Sequence, residues 1–250
     1  MNFSQISNQK LLGQILRAPL NLLPKGLIVP IMQGRLKGKR WTVGSGTHGC
    51  WLGTYEYEKQ HLFTDTIQSG AVVYDIGANV GFYTLLSSEV VGSEGHVVSF
   101  EPAPRNLRWL KRHLRLNRIK NVTLIEAAVS DSTGETFFDQ ESTGFMGHLS
   151  ATGGKNAVRV ATVSIDELLE QGRVPIPQYM KIDVEGAEAS VLHGAKKLLA
   201  EHRPTLFLAT HGKQVHSECC TLLENAGYEL KSANNKSIAE TDEIIGSCPI

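Results

Sequence analysis

The stretch VVYDIGANVGFYT, residues 72–84, decides the fold of this 250-residue chain. An apolar run ends on Asp75 and opens into a turn holding Gly77 and Gly81, where a helix begins. That is the pattern of a buried strand feeding a helix, and in open α/β sheets the turn after the first strand is where ligands bind. A dinucleotide fingerprint needs a glycine in the middle of the turn, because it admits a pyrophosphate to the backbone. Asn79 holds that place here, and no lysine is present to make a phosphate loop. An acid beside a helix start can instead hold a ligand carrying both an ammonium and a carboxylate. S-adenosylmethionine (SAM) is such a ligand, and a merely tight turn is the plain alternative.

The rhythm continues downstream. HVVSF (96–100) is a second strand ending at Glu101, 24 residues after Gly77, placed to accept ribose hydroxyls. NAD enzymes use the same device, so it is DxGxNxG together with Glu101 that favours SAM over NAD. Pro104 suits the first turn of a helix with Leu107, Leu110 and Leu114 on one face. NVTLIE (121–126), YMKID (179–183), TLFLAT (205–210) and YELKS (228–232) read as further strands, with a weak segment over 243–250. Ala187, Val191, Ala195 and Leu198 predict one helix stopped by Pro204, and Val215, Cys219, Leu222 and Leu223 another ended by Gly227. Alternating strands and helices imply right-handed crossovers and a doubly wound α/β domain with a mostly parallel sheet. Residues 130–172 break the rhythm with Gly, Ser and Thr clusters around ETFF and AVRVATV, a hairpin-like excursion. Ser164 and Glu167 have the spacing of a capping box for the helix that follows. The chain divides into a basic N-terminal extension or cap (1–65) and a main domain (66–250) whose insertion, about 130–160, is placed as a substrate lid.

Net charge is zero, but its distribution is uneven: seven basic residues and no acid precede Glu56, and the remainder holds 18 basic against 25 acidic residues. Such an arm suits an anionic substrate or a lipid surface, or is simply solvated. Pro19, Pro24, Pro30, Arg17 and Lys25 interrupt every apolar run in it, so no spanning helix is expected, while Leu11, Leu12, Ile15 and Leu16 allow a peripheral contact. The basic run from Arg105 to Lys120 reads as a solvated helix face, and no nucleic-acid partner is expected without interleaved aromatics. With no small-residue cleavage site after a compact apolar segment, no signal peptide is expected, and Cys50, Cys219, Cys220 and Cys248 fit free thiols in a reducing cytoplasm.

VVYDIGANVGFYT, VVSFEPAPRNL, AAVSD (127–131), TVSIDELL (162–169) and MKIDVEGAEASVLHGA (180–195), in this order, resemble the FkbM-type SAM-dependent methyltransferases. The resemblance covers about residues 41–230. It implies a class I, Rossmann-like methyltransferase fold with a seven-stranded sheet, and O-methylation of sugars, polysaccharides or natural-product hydroxyls. It places Asp75, Gly77, Ala78, Asn79 and Gly81 along the methionine part of SAM, with Thr84 supporting the turn. Glu101 would hold the ribose, Pro102 and Asn106 are further cofactor-binding candidates, and Ala127, in the stretch Glu126 to Ala128, would border the adenine. Tyr55 and Glu56, in HGCWLGTYE, are the preferred pair to fold over the cofactor. Asp183 stands near the sulfonium and the acceptor, so it counts both as cofactor-binding and, with Glu185 and His211, as catalytic; Glu188 is a further acid at the same helix start. Family members often carry Glu at the end of the next strand, where Ala209 stands here, so either that carboxylate is dispensable in this chain or His211 does comparable work two positions on. Asp183 and Glu185 alone are a thin set of Mg²⁺ ligands with no third evident, and no metal is expected.

Overall fold

The computed structural model describes residues 20, 22–140, 147–150, 157–234 and 236–249. An antiparallel ribbon, β1 (Ile28–Pro30) and β2 (Arg40–Thr42), leads through α1 (His48–Leu52) and α2 (Tyr57–Thr66) into β3 (Val72–Ile76). Then come α3 (Phe82–Val91), β4 (His96–Phe100), α4 (Pro104–Leu116) and β5 (Val122–Ile125). The excursion supplies β6 (Ala128–Val129), β7 (Gly134–Gln140), β8 (Gly147–Ser150) and β9 (Ala157–Val163). The chain ends with α5 (Ile165–Glu170), β10 (Tyr179–Ile182), α6 (Glu188–His193), α7 (Lys196–Glu201), β11 (Thr205–Ala209), α8 (Lys213–Asn225), β12 (Glu229–Ser232) and β13 (Glu243–Ser247).

Seven strands form the central sheet in the order β12-β13-β11-β10-β3-β4-β5, parallel except for β13, which runs against both neighbours. The expected doubly wound, mostly parallel, seven-stranded fold is therefore present. Its strands are nearly continuous apolar runs because both faces are covered: Val73, Tyr74, Ile76, Val98, Phe100, Met180 and Ile182 are all buried. One core lies under α6, α7 and α8. The other joins Leu85, Leu86 and Val97 to Ile31, Trp41, Trp51 and Phe63, so the described part of the N-terminal segment packs into the same body. The order reverses between β3 and β10, and the crevice at their carboxyl ends is the place for a ligand. The excursion folds as a four-stranded sheet, β6-β9-β7-β8, in which β7 and β8 pair as a hairpin; its residues 141–146 and 151–156 lie outside the described residues, as do Leu11, Leu12, Ile15 and Leu16. Among the described residues no helix is long and apolar enough to cross a membrane.

Two expectations are corrected. The helix over 187–198 is broken into α6 and α7, because Gly194 is pressed against the backbone of Ser130, where a Cβ would lie 2.0 Å from the carbonyl oxygen. The Gly194 carbonyl is taken by the Asp166 N–H (2.9 Å), and the Asp166 carboxylate accepts from the N–H groups of Lys197 and Leu198 (2.9 and 3.0 Å), starting a new helix. The capping box at Ser164 does not form either: its hydroxyl donates to the same Gly194 carbonyl at 3.0 Å, so a tertiary contact outcompetes the local one.

Candidate active site

The turn after β3 is shaped by contacts that leave no room for side chains. Gly77, at φ 81°, has its α-carbon against β10's exit, and a Cβ there would lie 1.9 Å from the Asp183 carbonyl oxygen. Gly81, at φ 92°, starts α3 and sits against Leu110, 2.6 Å from where a Cβ would stand. Between them Asn79 takes the left-handed region, φ 50°, which Asn tolerates better than most residues. The N–H groups of Gly77 and Ala78 donate to the Phe100 carbonyl (3.1 and 2.9 Å), tying the turn to β4.

The Asn79 N–H donates to Glu101 Oε2 at 2.7 Å. This backbone donor of the turn is thus held by the chain's own carboxylate. Glu101 Oε1 accepts from the Ala103 N–H (2.8 Å) and Asn106 Nδ2 (3.2 Å). Burial pushes its carboxyl up to about 7 against these three donors. Asp75 is fully buried; its Oδ2 accepts from Thr84 Oγ1 at 2.6 Å, and Ser99 Oγ donates to Thr84 in turn (3.1 Å). Burial raises its pKa, with Lys181 and Thr84 acting the other way.

These groups border a cavity of about 380 Å³. Gly77, Ala78, Asn79, Asp75, Glu101, Pro102, Asn106 and Ala127 line it, joined by Tyr55, Asp183 and Glu185. Phe138 brings the excursion into the wall, as a lid residue would. Gly81 and Thr84 shape the site from behind. Glu56 is turned into a smaller neighbouring cleft, where it accepts from the Tyr83 hydroxyl (2.8 Å) and faces Lys59 at 3.5 Å. Asp75 Oδ1 and Asn106 Oδ1 are buried with no hydrogen-bond partner among the described residues. Paired acceptors of this kind, with a glycine backbone between them, fit a ligand bearing an ammonium and hydroxyls, and so fit SAM.

Next to Asp75 the site is ionic. Lys181 lies on the buried strand β10, its Nζ 3.2 Å from Asp183 Oδ2 and 4.8 Å from the Tyr83 ring centroid. Burial disfavours its charge, but Asp183, Asp75 and Glu56 more than offset this and raise its pKa. For Asp183 burial works upward, and Lys181, followed by His211 and Lys59, brings the carboxyl below its usual value. The sequence reading missed Lys181, although a lysine inside an otherwise apolar parallel strand is itself a signal.

His211, just beyond β11, is brought to this end by a buried partner. Its Nδ1 is 2.8 Å from Oε1 of the fully buried Glu188, which also accepts from the Gly186 N–H at 3.0 Å. Its Nε2 is 3.4 Å from Glu185 Oε2 and 3.9 Å from Asp183 Oδ1. Glu188's hydrogen bond first, then Glu185 and Asp183, push the imidazole up to about 9 against partial burial. Asp183, Glu185 and His211 each offer one ligand atom within 4.8 Å of the others. The expectation that no third cation ligand exists is therefore corrected, because β11's exit delivers the imidazole that the acids lack.

Residues 75–230 match the Methyltransferase FkbM domain. The chain belongs to the FkbM methyltransferase family. It is 30% identical over 146 residues to the hexuronic acid methyltransferase AglP of Haloferax volcanii, 58% of each chain, so it spans less than two thirds of that relative. Over 59 residues, 24% of the chain and 28% of the relative, it is 32% identical to a protein-L-isoaspartate O-methyltransferase of Methanothrix thermoacetophila. The crystal structure of methyltransferase FkbM from Methylobacillus flagellatus KT superposes with a TM-score of 0.55 at 20% identity, covering 76% of this chain and 47% of that one, which shows the shared fold. In this FkbM chain Ala209 ends β11 and pairs in register with Glu243 on β13, whose carboxylate bonds Lys59 beside the smaller cleft.

Proposed function

We propose that this chain transfers a methyl group from SAM to a hydroxyl of a sugar, glycan or glycosylated metabolite. The observation that carries the reading is the Glu188–His211 pair, set beside Asp183 and Glu185, the two acids of this group that line the cavity. The hexuronic acid relative supports a sugar-directed acceptor, and the four free cysteines agree with a cytoplasmic setting. When bound, SAM supplies an activated methyl on a good leaving group. Asp75 Oδ1 would accept from its ammonium and Glu101 from its ribose hydroxyls, and two such donors favour the ionised carboxylate. The excursion's Phe138 and the Tyr55 ring would close the site against water. A hydroxyl is a weak nucleophile until its proton is accepted, and His211 is built for that step. Its Nδ1–H is held by Glu188, which leaves Nε2 as the acceptor.

Because the neighbouring acids hold His211 protonated up to about 9, the neutral form grows with pH. The expected kcat/KM therefore rises with pH and levels above about 9. Glu188→Gln removes the largest upward influence, and is expected to move that midpoint toward the ordinary histidine value of about 6.5 and to lower the plateau. A midpoint that stays put in the variant shows that another group titrates.

A second reading has its own observation, the Asp183, Glu185 and His211 cluster, whose two carboxylates suit Mg²⁺ or Mn²⁺ and whose imidazole nitrogen favours the softer Mn²⁺ of the two. A cation there would lower the acceptor hydroxyl's pKa in place of a base. The assay uses methyl-labelled SAM with a panel of sugars and uronic acids, with and without a strong chelator. Transfer that survives chelation leaves His211 as the base, and loss restored by added Mg²⁺ or Mn²⁺ assigns the cluster to a cation. Absence of SAM binding by calorimetry overturns both.

A further inference from the structure

We propose that the β1–β2 ribbon and the turn before it are a docking surface for an anionic lipid bilayer. The chain from Ile28 to Met32 alternates with a period of two. Val29 and Ile31 face inward against the core that holds Trp41. The outward positions are Ile28, Pro30 and Met32, where a solvated ribbon carries polar side chains. Ile28 is 43% exposed and Met32 57%, and Leu27 and Leu22, just before them, are 41% and 83% exposed. Isolated exposed apolar residues are ordinary. Here four of the five exposed large hydrophobic residues among the described residues fall within eleven positions of one another along the chain, on the ribbon and the turn before it, which is more than isolated exposure.

The rim of this patch is cationic. Lys25, Arg35, Lys37 and Arg40 are exposed around it, and the chain has no acid before Glu56. Helix α4 extends the positive surface. Arg112 Nη2 donates to the Gly26 carbonyl at 3.3 Å, and Asn117 bonds the Arg40 backbone both ways, at 2.7 and 2.9 Å, which sets the exposed Arg108 and Arg115 on the helix that carries the ribbon. Apolar side chains ringed by cations match the layers of a bilayer surface, where acyl chains begin beneath phosphate headgroups. Nucleic acid would satisfy the cations and leave the aliphatic residues in water. A second copy, docked patch to patch, would set like charges against each other. The ribbon also leads within four residues into the cavity wall at Gly46, Thr47 and Cys50, so a docked surface lies close to the route into the site.

The test is sedimentation of the full chain with vesicles of phosphatidylglycerol in phosphatidylcholine. The protein is expected to pellet with them, and to bind at least about tenfold more weakly to phosphatidylcholine alone or in about 1 M salt, where the screening length is about 3 Å. Leu27→Ser/Ile28→Ser/Met32→Ser is expected to weaken binding by about tenfold or more with an unchanged thermal melt. Should that variant fold poorly, Lys25→Gln/Lys37→Gln carries the same test through the charge alone, with an expected loss of about tenfold or more. Four results overturn the proposal: no pelleting with anionic vesicles, equal binding by variants that fold, binding to an oligonucleotide with none to vesicles, or a dimer that the serine variant splits while vesicle binding is absent.

Discussion

His211→Ala is expected to lower turnover by about 10²- to 10⁴-fold while SAM affinity, read by calorimetry, stays close to that of the unaltered protein. The split follows from where the side chain sits. His211 is half-exposed and joins Asp183, Glu185 and Glu188, whereas Asp75, Asn79 and Glu101 line the cavity with bonds that do not involve it. The fold should survive the change, because Glu188 keeps the Gly186 N–H as a donor after the imidazole is gone. Turnover near that of the parent would remove His211 from the chemistry, and a parallel loss of SAM affinity would make it a binding residue. Partial recovery of rate by added imidazole would show that the missing group is a proton acceptor.

Gly77→Ala is expected to damage both fold and cofactor site. Its Cβ would stand 1.9 Å from the Asp183 carbonyl oxygen, a backbone atom that cannot swing aside, and the residue would be held at φ 81°. Left-handed backbone costs a non-glycine residue about 1–2 kcal/mol, and overpacking adds about 1–3 kcal/mol. Together they predict a melting temperature lower by about 5–20 °C for a chain of this size. The ends of β3 and β10 must part to admit the methyl, so Asp75 and Asp183 change spacing and SAM binding falls with them. A variant with an unchanged melt and unchanged SAM affinity would mean that these strand ends are looser than the geometry shows.

What could be read in the sequence was local. Asp75, the glycines, Asn79 and Glu101 lie in two short stretches at strand ends, and their spacing along the chain carries their meaning. The same is true of the strands themselves, whose apolar runs are long enough to stand out. What could not be read depends on contacts between distant segments. Glu188 and His211 are 23 residues apart and meet only because β10 and β11 are neighbours. The break at Gly194 comes from Ser130, and the failure of the Ser164 cap from Gly194, so each local signal was sound and each lost to a partner elsewhere. Glu243 shows the same principle, since its pairing with Ala209 and its bond to Lys59 join three segments that lie far apart along the chain.

The hydrogen bond from Asn79 to Glu101 also bears on which molecules the site turns away. Adenine nucleotides share their base and sugar with SAM, and differ from it in the polyanion attached beyond the ribose. In most nucleotide folds the turn after the first strand welcomes that anion with open N–H groups. In this chain the Glu101 carboxyl already takes such a donor, so a phosphate placed there would meet a competing acceptor. The same turn that would seat SAM would thereby disfavour its more abundant look-alikes.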